Sequence, residues 1–251
     1  MPQLAPQLVE MQQPSLALEI LRLGGEVPDE VPPSPLLNNL VAYWKLEEPS
    51  GTRVDAMGGG HDLTDNNTVG QAVGKIGNAA SFVSANSESL SRSDVALAMG
   101  GRDYSMSLWF YASSWTTFPW FVTRWKSSIP IDGVYAGVYT DGTYRFTGYA
   151  AGSVMFDVAG ASPLSVSTWY HMVCVHDWVG KRAYVYLNNV SNSVTFAAAS
   201  GDDEPFALGG ALTEHFTDGR IDEVGFWTRV LAPAEVAQLY NNGNGLPYPF
   251  R

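Results

Sequence analysis

Two adjacent acidic residues inside one long apolar strand constrain the fold of this chain more than any other feature. The stretch 219–231 reads Gly-Arg-Ile-Asp-Glu-Val-Gly-Phe-Trp-Thr-Arg-Val-Leu. Alternation along a strand predicts that Asp222 and Glu223 point to opposite sides. Burying an unpaired carboxylate is costly, so one of the two needs a compensating cation or a set of backbone N–H groups.

A short helix follows this strand directly. Residues 233–240 place Val236, Leu239 and Tyr240 on one face, which is the spacing of an amphipathic helix. Pro233 suits the first turn of a helix, and Asn242-Gly243 supplies a stop signal. The pattern predicts a long strand that leads into a closing helix.

Strand and helix together resemble the C-terminal signature of laminin-G-like (concanavalin A-like) jelly-roll domains. The matching segments are Gly-x-Ile-Asp-Glu-Val at 219–224, Arg-Val-Leu at 229–231 and Glu-Val-x-x-Leu-Tyr-Asn at 235–241. The resemblance covers roughly residues 40–244 and implies an all-β, antiparallel β-sandwich (jelly roll) with a short C-terminal helix. Because this sandwich carries lectins, adhesion modules, glycosidases and virion proteins, the resemblance leaves function open.

Two hairpins are the clearest local predictions. One covers 134–149 around Asp141-Gly142, and the other covers 169–189 and ends at Asn188-Asn189. Asparagine tolerates the positive φ that such a turn requires. Both hairpins fit an antiparallel sandwich.

Other segments extend the all-β pattern. The segment 104–111 becomes apolar on both faces, which is typical of a central strand. Segments 79–83 and 88–91 are predicted to pair with each other. The 25 Gly, 8 Trp, 12 Tyr and 11 Phe also favour strands joined by tight turns.

Residues 1–39 are predicted to form a Pro-rich, extended N-terminal arm, and residues 40–251 the sandwich domain. Prolines interrupt any regular element in the arm, ending with Val-Pro-Pro-Ser-Pro at 31–35. The apolar segment 15–23 between them fits a short helix and a strand equally well. Such an arm either docks on a partner or is a disordered leader, and both alternatives stay open.

The setting of the arm follows from the N-terminus. It has no basic start and no continuous apolar run, so it is not a secretory signal, and no stretch is long enough to insert into a membrane. We therefore expect the arm to dock on a virion shell or tail protein, which places the sandwich on the virion surface, or otherwise outside the cell. Alternatively, the arm packs on its own sandwich or on a symmetry mate in a homo-oligomer.

The net charge and the single cysteine each support a prediction. A formal net charge of −11 argues against nucleic acid, whose phosphates demand a basic surface. The charge is compatible with divalent cations or neutral glycans. Cys174 is the single cysteine, and its place between two valines predicts a buried thiol.

The family resemblance also implies a calcium ion. In such domains a Gly-rich loop lies beside the Ile-Asp-Glu strand and helps to hold calcium, which needs several converging oxygens. The matching candidates are Asp55, Asp62 and Asp222. The loop has Ala56 and Met57 where the family has side-chain oxygens, and the alternative is that Asp55 and Asp62 hydrogen-bond turn amides.

An aromatic segment offers a second kind of site. Exposed aromatic rings can stack on sugar rings, because the C–H groups of a pyranose face match an aromatic face. The alternative is that the rings fill the sandwich. The rings concerned are Trp115, Phe118, Trp120, Phe121 and Trp125.

No catalytic residues are predicted. The chain lacks the Glu-x-Asp-x-x-Glu run of concanavalin A-like glycosidases, and the acidic runs at 47–48 and 202–204 lie beside turns. The four histidines have no zinc-helix spacing, and no nucleophile elbow or phosphate loop is present.

We therefore expect a non-catalytic laminin-G-like binding or structural module. The predicted setting is a bacteriophage virion surface, as a decoration or fibre-type protein whose outward sandwich binds cell-surface glycans. The alternative is an extracellular carbohydrate-binding or adhesion module, and the second alternative is a glycoside hydrolase of the concanavalin A-like fold.

Overall fold

The computed structural model describes residues 33–160, 163–201 and 204–250. The strands in these ranges are β1 (Leu40–Trp44), β2 (Thr64–Asn66), β3 (Gly70–Val73), β4 (Asn78–Phe82), β5 (Ser89–Arg92), β6 (Tyr104–Ala112), β7 (Trp120–Lys126), β8 (Asp132–Val138), β9 (Tyr144–Ala150), β10 (Ser153–Ala159), β11 (Trp169–Asp177), β12 (Arg182–Leu187), β13 (Val190–Thr195), β14 (Phe206–Leu208) and β15 (Gly219–Trp227). The α-helix α1 spans Pro233–Tyr240, and 3-10 turns cover Pro35–Leu37, Ser84–Asn86, Val95–Leu97 and Asn241–Gly243. None of the helices in these ranges is long and apolar enough to cross a membrane.

The described strands form two antiparallel sheets. One has the order β13-β12-β11-β6-β15-β4-β3, with β1 also paired to β15, and the other has the order β10-β9-β8-β7-β14-β5-β2. The two sheets pack face to face, and their inward side chains form the main core. The predicted all-β sandwich with a short C-terminal helix is confirmed.

The centre of the eight-stranded sheet is the strand pair β6 and β15. β6 is buried along almost its whole length, because β11 and β15 flank it on both edges. This confirms the central strand predicted over 104–111. Cys174 of β11 is buried in the same core, as predicted, and burial raises the pKa of its thiol.

A second apolar cluster lies on the outer side of this sheet, beneath α1 and the C-terminal residues. It contains Tyr43, Trp227, Leu239 and Phe250. The indole N–H of Trp227 donates to the carbonyl oxygen of Leu36 at 2.7 Å, which ties the entry of the chain to β15. The eight-stranded sheet is therefore covered on both faces.

Most local predictions agree with the strands. Both hairpins are present, as β8–β9 and β11–β12, and Asn188 and Asn189 adopt positive φ after β12. Helix α1 has the predicted bounds, although its left-handed C-cap is Asn241, one residue earlier than the predicted stop.

One predicted strand pairing is wrong. Segments 79–83 and 88–91 do not pair, since β4 belongs to the eight-stranded sheet and β5 to the seven-stranded sheet. The 3-10 turn at Ser84–Asn86, followed by Ser87 with φ of 56°, carries the chain from one sheet to the other. A connection this short resembles a hairpin in sequence.

The predicted arm falls mainly outside the described residues. Its apolar segment 15–23, and the docking expected of it, lie within residues 1–32 and stay predictions. Of the arm's C-terminal end, Pro35–Leu37 forms a 3-10 turn whose Leu36 is buried in the second cluster. β1 then begins at Leu40.

Candidate functional site

The first predicted calcium ligand, Asp55, organises its own loop through backbone hydrogen bonds. Its side chain is buried and accepts four N–H groups: Oδ1 from Tyr43 at 3.2 Å and Met57 at 3.0 Å, and Oδ2 from Gly59 at 3.0 Å and His61 at 3.4 Å. Both oxygens are engaged with the polypeptide itself. Asp55 therefore holds the Gly-rich loop against β1.

The other two predicted ligands lie in different hydrogen-bond networks. Asp62 Oδ1 accepts the backbone N–H of Asp55 at 2.8 Å, so these two residues are brought together. Asp222 Oδ2 instead accepts the N–H groups of Lys75 at 2.7 Å and Ile76 at 2.9 Å. Within 33–160, 163–201 and 204–250, no three His, Cys, Asp or Glu side chains form a group that could hold a metal ion. The three carboxylates thus do not fit one shared ion, and calcium stays a prediction from the sequence.

A β-bulge explains how β15 accommodates two adjacent acids. The register with β6 shifts between Asp222 and Gly225, and Glu223 adopts φ of 50°. Ile221 and Val224 both face the main core, so Asp222 and Glu223 both point to the outer side of the sheet. Simple alternation predicted opposite sides, and the extra residue of the bulge overturns that prediction.

Both carboxyl groups are almost completely buried beside the second cluster. Tyr43 Oη donates to Glu223 Oε2, and two backbone N–H groups compensate Asp222 as described above. Burial, assisted by the negative charges of Glu223 and Glu47, raises the pKa of Asp222 to about 8. Burial, assisted by the charge of Glu47, raises the pKa of Glu223 to about 7. Asp222 therefore stays mostly protonated at neutral pH, and Glu223 loses its proton near pH 7.

The outer face of the seven-stranded sheet carries a different set of side chains. In β8 and β9, residues such as Val134 and Phe146 face the main core, so alternate residues point outward. The outward row across β7, β8, β9 and β10 comprises Thr123, Tyr135, Thr147 and Asp157. Aromatic residues flank this row and form a third cluster.

The base of this cluster is a three-ring stack. Trp120 lies between Tyr135, with ring centroids 4.2 Å apart, and His215, at 4.0 Å. Gly137 lies opposite Trp120 in the next strand, and a Cβ there would approach Trp120 Cδ1 to 2.7 Å. The glycine therefore lets the indole lie close to the sheet.

A second stack lies beside the first. Phe118 and Tyr139 stack with centroids 4.0 Å apart, and the guanidinium of Arg145 lies 4.4 Å from the centre of the Tyr139 ring. The hydroxyl groups of Tyr135 and Tyr139 are 3.1 Å apart and link the two stacks. Trp125 packs its edge against Trp120 and Tyr149.

Polar side chains surround these rings. Arg145 Nη1 donates to Asp157 Oδ2, and Thr147 Oγ1 donates to Asp157 Oδ1 at 2.9 Å. Trp125 Nε1 donates to Glu214 Oε1 at 3.1 Å. The side chains of Arg145, Asp157 and Glu214 remain 28%, 32% and 39% exposed, so they can still contact a ligand.

We call this surface the aromatic face. It consists of the half-buried rings of Trp125, Tyr139 and Tyr149 and the polar rim of Arg145, Asp157 and Glu214. A flat aromatic surface with hydrogen-bonding groups at its rim suits an amphipathic ligand such as a sugar ring.

The sequence identified part of this face. Of the five rings considered above, Phe118, Trp120 and Trp125 belong to the third cluster, whereas Phe121 and Trp115 pack in or against the main core. The remaining members come from β8, β9, β10 and the 209–217 loop. Alternation in the predicted 134–149 hairpin could have shown that Tyr135 and Tyr149 point to the same side of the sheet.

The antiparallel sandwich with a C-terminal helix defines a jelly-roll domain. The family model Laminin_G_3, described as the concanavalin A-like lectin/glucanases superfamily, matches residues 83–237. This is more than half of the chain, and the chain belongs to that family. The laminin-G-like resemblance is thus confirmed. No curated protein matches the chain in sequence.

Solved structures share the sandwich at low identity. Domain 4 of AbnA, a GH43 extracellular arabinanase from Geobacillus stearothermophilus solved with arabinotriose, has a TM-score of 0.65 at 21% identity, covering 82% of this chain and 98% of that one. The binding domain of Paraclostridial Mosquitocidal Protein 1 has a TM-score of 0.65 at 16% identity, covering 82% and 52%. A structure of botulinum neurotoxin type C, a toxin whose cell entry depends on interaction with two ganglioside molecules, has a TM-score of 0.59 at 10% identity, covering 83% and 52%. This chain spans about half the length of the two toxin chains, and these likenesses concern the fold.

Proposed function

We propose that this chain is a non-catalytic carbohydrate-binding module whose ligand lies on the aromatic face. The observation that carries the proposal is the joint presence of half-buried rings and partly exposed hydrogen-bonding groups on one outer sheet face. The rings would cover the C–H face of a sugar, and the rim would contact its hydroxyl groups. The structural relatives solved with arabinotriose or described with gangliosides support a glycan as the ligand.

The module is proposed to bind without turnover. A glycosidase holds two carboxyl groups at a fixed separation around one glycosidic bond. On the aromatic face, Asp157 is paired with Arg145 and Thr147, while Glu214 is bonded to Trp125 and Ser127. Both carboxyl groups are thus held by hydrogen bonds from neighbouring side chains, an arrangement that suits the binding of sugar hydroxyl groups.

The wider setting remains a prediction from the sequence. Attachment to a virion shell or tail would depend on residues 1–32, which lie outside the described ranges. A cell-surface glycan would suit a virion surface and an extracellular module equally well. The proposal therefore concerns the sandwich itself.

A glycan array tests the proposal directly. We expect the chain to bind at least one immobilised glycan and Tyr149→Ala to weaken that binding about tenfold or more, since stacking on one aromatic ring contributes on the order of 1–2 kcal/mol. Tyr184→Ala is the matched control, because Tyr184 is a half-buried tyrosine on the other sheet. Failure to bind any glycan, or equal losses in both variants, would contradict the proposed face. Release of reducing sugar from the bound glycan would contradict its non-catalytic character.

A further inference from the structure

We infer that the aromatic face selects uncharged glycans with neighbouring hydroxyl groups and rejects glycans that carry carboxylate or sulfate groups. This inference rests on the proposed function and names its ligand class. The solved relatives raise the question, since arabinotriose is neutral and gangliosides are acidic. The charged groups on the aromatic face of this chain favour a neutral ligand over an acidic one.

The one guanidinium on the rim is already neutralised. Arg145 is in an ion pair with Asp157 and lies 4.4 Å from the centre of the Tyr139 ring. An acidic sugar that accepted from this guanidinium would bring its negative charge next to the Asp157 carboxylate, which already occupies Nη1. Recognition of anions instead depends on arginine or lysine groups that are free to form bidentate bonds.

The opposite rim carries a carboxylate beside the rings. Glu214 Oε1 accepts Trp125 Nε1 at 3.1 Å and Ser127 Oγ at 2.5 Å, and Glu214 Oε2 lies 3.6 Å from His215 Nε2. Asp157 and Glu214 therefore border the rings from β10 and from the 209–217 loop. A ligand carboxylate would meet like charges there, on a chain whose net charge is −11.

Neutral sugars fit the same groups without breaking them. A sugar hydroxyl is both a donor and an acceptor. One hydroxyl can donate to Asp157 while its neighbour accepts from Arg145, because carboxylate and guanidinium lie side by side. The ion pair would thus bind two adjacent hydroxyl groups of the sugar, and the aromatic rings would contact its C–H face.

Paired probes separate this inference from the proposed function. We would array neutral glycans beside counterparts that carry an acid: lactosamine with sialyl-lactosamine, methyl-esterified polygalacturonate with polygalacturonate, and desulfated keratan with keratan sulfate. We expect binding to neutral members to exceed binding to their acidic partners about tenfold or more. Binding to a neutral glycan should be unchanged between low and high salt, because no ligand charge is involved.

Two variants locate the effect. Asp157→Asn should weaken binding of the neutral glycan at least about fivefold, since it removes the charge that orients Arg145. Asp177→Asn removes one carboxylate from the other sheet and should leave binding unchanged. Equal thermal melting of both variants would show that each is folded.

The contrary results are distinct. An acidic member that binds more tightly than its neutral partner, and loses binding in Arg145→Gln, would overturn the neutral-glycan inference and leave the proposed function standing. No binding to any member of any pair would overturn the proposed function itself.

Discussion

Trp120 and Tyr135 lie face to face on the outer side of the seven-stranded sheet, with ring centroids 4.2 Å apart and planes inclined by 4°. Both rings are almost fully buried, although they lie outside the core between the two sheets. Their burial comes from neighbouring aromatic residues and from His215 of the 209–217 loop. This pair is the rigid base on which the more exposed rings of the aromatic face rest.

The close approach of Trp120 to β8 predicts a cost for any side chain at Gly137. We expect Gly137→Ala to lower the free energy of unfolding by about 1–3 kcal/mol, because its Cβ would collide with Trp120 Cδ1 and the Pro119 carbonyl oxygen. Gly70→Ala is the control, since its Cβ would meet Ser81 O at an ordinary 3.8 Å and should change stability by less than about 0.5 kcal/mol. Urea unfolding measures both. Equal losses of stability in the two variants would contradict the close contact between Trp120 and Gly137.

The Asp55 loop predicts a stability effect that distinguishes its amide contacts from a metal. Asp55→Ala leaves four backbone N–H groups without their acceptor, so we expect a loss of about 2 kcal/mol or more in the presence of a chelator. Melting curves in chelator and in excess calcium test this. If the loss appears only when calcium is present, Asp55 acts as the metal ligand that the family resemblance implies.

The buried acids of β15 predict a stability that falls with rising pH. The unfolded chain ionises these groups near their ordinary pKa values of 3.8 and 4.5, whereas the folded chain holds them at about 8 for Asp222 and about 7 for Glu223. Between about pH 5 and 7, and for Asp222 up to about pH 8, the folded state therefore binds more protons than the unfolded state. The free energy of unfolding should decrease by at most about 1.4 kcal/mol per pH unit for each group.

Glu223→Gln tests the origin of this slope. The amide oxygen can still accept from Tyr43, but the side chain no longer titrates. Between pH 5 and 7 we expect the free energy of unfolding in urea to fall more steeply with pH in the parent chain than in this variant. His171, whose pKa is lowered by burial to about 3, contributes a slope of opposite sign in this window, but it does so equally in both proteins and cancels in the comparison. Parallel slopes in the two proteins would show that Glu223 is ionised when folded.

Arg229 predicts a role for guanidinium geometry in closing the domain. Its Nε donates to Asn38 O at 2.7 Å, its Nη2 donates to Pro35 O at 3.0 Å, and both terminal nitrogens bond Glu235 of α1. Lysine cannot reproduce this fork, so Arg229→Lys should cost about 1–3 kcal/mol of unfolding free energy. Arg182→Lys, at an exposed position, should be neutral within about 0.5 kcal/mol. An Arg229→Lys variant with unchanged stability would contradict the role assigned to these hydrogen bonds.

The fold could be predicted to a large extent, because its determinants are local. Turn residues and alternation predicted β8–β9 and β11–β12, and the proline and apolar spacing predicted α1. The bulge at Glu223 could not be predicted, since one extra residue leaves no mark in an alternating pattern. The crossing from β4 to β5 was missed for a related reason, because the four residues between the predicted segments 79–83 and 88–91 also fit a hairpin.

The site was less predictable than the fold. Trp120 and Trp125 were visible as an aromatic run, but their partners are distant in sequence. His215 reaches Trp120 across 95 positions, and Glu214 reaches Trp125 across 89. Sheet order and register decide such meetings, and a single sequence does not specify them.

An NMR titration of the aromatic face tests the central claim most directly. The indole N–H of Trp125 lies at the rim, whereas those of Trp44 and Trp227 are bonded to His61 O and Leu36 O elsewhere in the domain. On addition of the tightest-binding neutral glycan from the array, the Trp125 indole resonance should shift and the other two should not. Shifts confined to Trp44 or Trp227, or a Trp125 resonance unmoved at saturating glycan, would contradict the assignment of the binding site.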